Sequence, residues 1–221
     1  MSDLSQDSLL REIDEDIRRE RYAKLWKRYG SYVITALVLL LAGVAGYMIW
    51  QERTTSQLGQ AGEQFTAAVA LASKDQAAAQ AELSAIAGDG PSGYAMLAAF
   101  QQAALLTNGD GERRAARTIY QELQQSLSDP IYRDLAVLLE AMVVLHQDVL
   151  PIDADAIRAK LRPLAADGNP WRFSARELMS LLAWKSGQIA EAKDQLTALA
   201  ADPQTPATIR DRAQRILAQI G

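Results

Sequence analysis

Leu182-Ala-Trp-Lys-Ser-Gly-Gln-Ile-Ala-Glu-Ala-Lys-Asp-Gln-Leu196 decides how the chain folds. Ser186-Gly187 interrupts an apolar-periodic run at the kind of position where glycine permits a tight turn, and Ala192, Leu196 and Leu199 resume the periodicity beyond it. The same spacing recurs upstream: counted from Gly111 the apolar positions +5, +9 and +12 are Ala116, Tyr120 and Leu123, and counted from Gly187 they are Ala192, Leu196 and Leu199. Helix, turn and helix at a repeated offset is the pattern of a solenoid, in which one hairpin cannot bury its apolar face alone and stacked neighbours do so together.

Working outward, Pro91, Pro130, Pro170 and Pro206 follow Gly90, Asp129, Asn169 and Thr205, at intervals of 39, 40 and 36 residues. Asp, Asn and Thr accept hydrogen bonds from the first free N–H groups of a helix, and proline suits the first helical position, so three of these dipeptides predict helix starts. The first three prolines open runs whose apolar faces read Leu97, Phe100 and Ala104; Leu135, Leu138, Met142 and Leu145; and Leu178, Leu181 and Leu182. A second helix follows within each interval. Its apolar residues are Ala116, Tyr120, Leu123 and Leu127 after Gly109-Asp-Gly111, Ile157, Leu161 and Leu164 after Pro151-Ile-Asp153, and Ala192, Leu196 and Leu199 after Gly187. Ile209, Ala213, Ile216, Leu217 and Ile220 predict a capping helix, and Gln51 to Gly88, with Phe65, Val69 and Leu83, a further long helix and its partner.

The Gly, Ala, large-apolar spacing resembles the second half of a tetratricopeptide repeat, most clearly in Leu182 to Leu196. That resemblance implies a right-handed array of helix hairpins. The sequence departs from the pattern in its interval of about forty against the usual ~34 residues, in Ser180 where the first helix would hold glycine, and in a middle repeat without a matching turn glycine. Composition agrees with an all-α class: 39 Ala against 8 Val, with 18 Gln and 7 Pro, favours helix and starves a sheet.

Ser31-Tyr-Val-Ile-Thr-Ala-Leu-Val-Leu-Leu-Leu-Ala-Gly-Val-Ala-Gly-Tyr-Met-Ile-Trp50 carries no charge over twenty residues, which as a helix matches a hydrocarbon core of ~30 Å. Tyr29 and Tyr32 stand at one edge, Tyr47 and Trp50 at the other, as headgroup interfaces favour. The chain therefore divides into a charged leader (1–30), a transmembrane helix (31–50) and an outer repeat domain (51–221). Seven bases precede the span, whereas Arg53 and Lys74 alone follow it within thirty residues, placing the N-terminus in the cytoplasm and the repeats outside, in a Gram-negative cell the periplasm. Gly43-Val-Ala45 would serve as a signal-peptide cleavage site, but a leader with seven acids beside its seven bases is not a signal-peptide leader, and the span reads as an uncleaved anchor. Asp14 with Arg18, Glu15 with Arg19 and Glu20 with Lys24 are favourable i,i+4 pairs for a leader helix.

Enzyme chemistry is missing. There is no cysteine and His146 is the sole histidine, which excludes thiolate and multi-histidine metal sites and cysteine nucleophiles. His146, on an apolar run, reads as a structural residue. No phosphate-binding glycine loop or GxSxG elbow occurs. No cofactor is expected, and a net charge of −4 argues against nucleic acid. A stacked array suits protein binding, and aromatic and arginine residues dominate interface hot spots. Tyr94, Tyr132, Arg133, Trp171, Arg172, Phe173, Arg176 and Trp184 on the first helices are the candidates, Trp171 to Arg176 being the densest cluster.

The leader Glu12-Ile-Asp-Glu-Asp-Ile-Arg-Arg-Glu-Arg-Tyr-Ala-Lys-Leu-Trp-Lys-Arg-Tyr-Gly30, a single span and an Ala/Gln-rich repeat domain together resemble the YfgM-like proteins of Gram-negative bacteria. This resemblance implies an ancillary subunit of the SecYEG translocon in the inner membrane. It implies association with a periplasmic chaperone of the PpiD type and assistance to newly exported proteins. An envelope scaffold in cell-wall or outer-membrane assembly is the alternative of a different class.

Overall fold

The computed structural model describes residues 28, 39–48, 50–53, 55–90, 92–107, 112–146 and 152–220. The chain divides into two compact units, Met1–Gly59 and Gln60–Gly221. In the first, residues 39–48, 50–53 and 55–59 are helical, and Leu39, Leu40, Leu41, Val44, Tyr47, Met48 and Trp50 are all exposed. Tyr47 and Trp50 lie with ring centroids 6.3 Å apart. Among the described residues no helix is long and apolar enough to cross a membrane. The predicted leader apart from Arg28, and residues 31–38 and 49 of the predicted span, lie outside the described residues.

The second unit is a run of helices: residues 60–71 (α1), α2 (Gln76–Asp89), α3 (Ser92–Thr107), α4 (Arg113–Ser126), α5 (Pro130–Leu145), α6 (Ile152–Leu164), α7 (Arg172–Lys185), α8 (Ile189–Ala201) and α9 (Ala207–Ile220). From α2 onward each packs on the next, as stacked hairpins require, and among the described residues there is no strand. Contacts also skip one helix in a single phase. Helix α5 packs on α7 and α7 on α9, whereas α4 and α6, or α6 and α8, make no comparable contact. Helices α5, α7 and α9 thus form one layer, with α6 and α8 packed on its other side, as in tetratricopeptide repeats.

The turn predicted at Gly187 is a complete Schellman motif. Gly187 has φ +79, its N–H donates to the Trp184 carbonyl (3.0 Å), and Gln188 N–H donates to the Ala183 carbonyl (2.9 Å). The second helices hold the predicted faces: Ala116, Tyr120, Leu123, Ile157, Leu161, Leu164, Ala192, Leu196 and Leu199 are all buried. Three clusters join successive helices through them, the largest running from Leu138 and Val144 on α5 through Ile157 and Leu161 on α6 to Leu178 and Leu182 on α7. Burial pushes the Tyr120 hydroxyl above its ordinary pKa, against a smaller lowering by its hydrogen bond with Thr107.

The first helices differ from expectation in two respects. Asp129-Pro130 caps as predicted, Asp129 Oδ1 accepting from Ile131 N–H at 2.8 Å, but α7 begins two residues after Pro170. Asn169 instead forms a side-chain turn, its Oδ1 accepting from Trp171 N–H (2.8 Å), and Thr205 Oγ1 is buried without a hydrogen-bond partner rather than capping α9. Second, the buried residues of α3 include Ala98, Ala103 and Leu106, while Leu97 is 44% exposed; on α5, Ala136, Leu138, Ala141, Val143 and Val144 are buried and Met142 is 45% exposed. A helix packed on both sides needs small residues at its closest approaches, so alanine occupies the contacts and larger side chains are displaced to the free face.

Candidate protein-binding surface

The odd-numbered helices carry two buried carboxylates, and both are neutralised within the fold. Glu140 on α5 is fully buried and accepts from Arg117 Nε (3.0 Å) and Gln121 Nε2 (2.6 Å) at Oε1, and from Gln124 Nε2 (2.9 Å) and Lys160 Nζ (2.7 Å) at Oε2. Burial alone raises its pKa, but these four donors, supplied by α4 and α6, outweigh burial and hold the carboxyl below its ordinary value. Glu177 on α7 accepts two parallel hydrogen bonds from Arg212 of α9, both 2.6 Å, and this pairing raises the arginine's pKa. Both buried carboxylates are therefore satisfied within the fold. Ser92–Thr107 has no charged residue, and Arg133 is exposed with no ion pair or side-chain hydrogen bond among the described residues.

The eight candidate residues do not form one patch. Tyr132 and Arg133 are exposed on the first turn of α5. Trp171, half-buried, is brought beside them, because its indole N–H donates to the Ile131 carbonyl (3.2 Å) and its ring packs on the α5–α7 core. Arg172 lies over the Phe173 ring at 4.1 Å and donates to Gln204 Oε1 (2.8 Å), which ties it to the α8–α9 turn. Phe173 is 8% exposed within the α7–α9 core. Arg176 donates to the Ala165 carbonyl (2.9 Å) and to Asp167 (2.7 Å), closing the α6–α7 turn. Tyr94 packs inward on Phe65, ring centroids 6.2 Å apart, with its hydroxyl so close over Gly62 that a Cβ there would lie 2.7 Å from Oη. Trp184 is half-buried in the last turn of α7.

Residues that sequence reasoning assigned to the core, Leu97 and Met142, emerge on the free surface with Ile131, which it had not singled out. Among the described residues of this unit the exposed large apolar ones are Leu97, Ile131, Tyr132, Met142 and Ile189, and all but Ile189 lie on α3 and α5. The signal in the sequence is α3 itself: an uncharged sixteen-residue helix has more apolar surface than one packed face consumes. His146 is the C-cap of α5, its Nδ1 donating to the Met142 carbonyl at 2.8 Å.

Residues 23–156 match the family of tetratricopeptide repeat-like domains, and the chain belongs to that family. A stretch of 131 residues, 59% of the chain, is 24% identical to a Haemophilus influenzae protein described as an ancillary SecYEG translocon subunit. The two comparisons together support the YfgM-like resemblance. The match spans 64% of that relative's length, and no solved structure matches the chain.

The double variant Tyr132→Ala/Arg133→Ala is expected to reduce capture of partner proteins several-fold while shifting stability by no more than about 0.5 kcal/mol, since both side chains are exposed. Quantitative pull-down and a thermal melt on the same preparations check both halves.

Proposed function

We propose that this protein is a non-enzymatic, single-pass protein of the bacterial inner membrane, an ancillary subunit of the SecYEG translocon. Its N-terminus is cytoplasmic, and its periplasmic tetratricopeptide-like domain, a right-handed array, holds a PpiD-like chaperone, emerging exported proteins, or both. The observation that carries this reading is the likeness to a translocon subunit in a chain whose helices α3 and α5 expose Leu97, Ile131, Tyr132 and Met142. Supporting the anchor is the helical segment 39–48, whose Leu39, Leu40, Leu41, Val44, Tyr47 and Met48 are all open to their surroundings, an arrangement suited to lipid and unsuited to water. The anchor keeps the binding surface at the membrane, where exported chains emerge. Its effect on encounter is that of raised effective concentration.

Affinity purification in mild detergent, with the full chain and with a chain lacking residues 1–50, tests this. The full chain is expected to recover translocon subunits and a membrane-anchored chaperone, and the shortened chain to lose most of the translocon. Recovery of cell-wall synthesis proteins in place of both would overturn the proposal.

A further inference from the structure

Wherever two even-numbered helices flank an odd one, the array forms a groove, and the grooves differ in what fills them. Over α5 the space between α4 and α6 is closed by Arg117, Gln121, Gln124, Glu140 and Lys160. Over α3 the space between α2 and α4 is open, a cavity of about 430 Å³. Its floor is Ala95, Met96, Ala99 and Gln102, one wall is the small residues Ser84, Ala87 and Gly88, and the other is Ile119, Leu123, Leu127 and the polar Ser126.

The rim of this groove is electronegative. Glu122 lines it, exposed, the one charged residue of the lining, and has no ion pair among the described residues. Gln80 of α2 donates to Glu112 ahead of α4 (3.4 Å), so the two helices run side by side with their C-terminal ends together. Neither has a basic residue in its last turn, so the negative ends of both helix dipoles add to the Glu122 carboxylate.

We propose that this groove receives an amphipathic helix of another protein, with apolar side chains inserted between α2 and α4 and Lys or Arg at the rim. The apolar residues of floor and wall, Met96, Ile119, Leu123 and Leu127, call for the first, and Glu122 with the two helix ends for the second. Helical form follows from the array, which offers no strand edge here to pair with an extended peptide, whereas a helix satisfies its own backbone. The lining from Ile119 to Leu127 spans about two helical turns, a length that an i, i+3, i+4, i+7 stripe fills.

The test uses the full chain in nanodiscs of zwitterionic lipid, empty discs setting the baseline. The probe is a fluorescent helix-forming peptide of leucine and lysine, about 18 residues long, alongside its leucine/glutamate counterpart. Saturable binding is expected for the lysine peptide alone. Ser84→Trp, which fills the groove from an exposed position, and Glu122→Lys, which reverses the rim, are each expected to weaken it about tenfold or more. Asp194→Lys on α8 makes the same change in net charge away from the groove and is expected to leave affinity within about twofold. Equal binding of both peptides, unchanged binding by the Ser84 and Glu122 variants, or equal weakening by Asp194→Lys would overturn the proposal.

Discussion

Glu140→Gln is expected to destabilise the repeat domain by about 2–3 kcal/mol at neutral pH, below the 3–5 usual for a broken buried pair because the surviving cations still reach water. The Arg117 and Lys160 side chains are 22% and 38% exposed, while that of Glu140 is 0% exposed. The loss has a pH signature. Burial raises the carboxyl's pKa, and the hydrogen bonds of Lys160, Gln124, Gln121 and Arg117 together bring it below its ordinary 4.5, so the folded chain holds the proton less tightly than the unfolded chain. The carboxylate's contribution is accordingly complete above that ordinary value and is lost as pH falls from there through the lower folded value. Urea titrations between about pH 7 and pH 3 are expected to show a gap between parent and variant that is widest at neutral pH and narrows in acid. A gap independent of pH would mean that the network acts through packing alone.

Leu182→Ala is expected to cost more, about 3–4 kcal/mol. Leu182 is 0% exposed in the cluster that joins α5, α6 and α7, so truncation leaves a cavity between two hairpins rather than within one. In a stacked array that interface term is what couples neighbours. The denaturation curve is therefore expected to broaden as well as shift. Leu97→Ala, the same truncation at a 44% exposed position, is expected to cost about 1 kcal/mol or less. Parallel unfolding by circular dichroism compares the two, and similar losses would contradict the assignment of Leu97 to the free face.

The second helices were readable in the sequence because each has a single packed face: the offsets from Gly111 and Gly187 mark buried residues without exception. The first helices were readable in existence and only in part in orientation: Leu138, Leu178 and Leu182 are buried as expected, Leu97 and Met142 are not. They pack against partners on two sides, so alanine lies at the contacts and a periodicity built on large residues selects the wrong face, as at Leu97 and Met142. The glycine position held by Ser180 shows the same requirement met differently. Its side chain is 0% exposed, and its hydroxyl donates to the Glu177 carbonyl at 2.7 Å, so smallness is kept and the hydroxyl is satisfied.

Aromatic and arginine content located the candidate surface only in part. Tyr132 and Arg133 are free, whereas Phe173 serves the core and Arg176 and Arg172 hold turns. Nothing local distinguishes an arginine that closes a turn from one that awaits a partner, because the distinction rests on groups 9 and 32 residues away, Asp167 and Gln204. The Glu140 network was invisible for the same reason, with its donors drawn from positions 16 to 23 residues away on either side.

The most direct test of a translocon-bound role is photocrosslinking in intact membranes from a photoreactive residue at position 132, where the native tyrosine is exposed on α5. Adducts with translocon subunits, a membrane-anchored periplasmic chaperone or chains in transit are the predicted result. Consistent capture of cell-wall or outer-membrane assembly proteins, with none of these, would contradict the account.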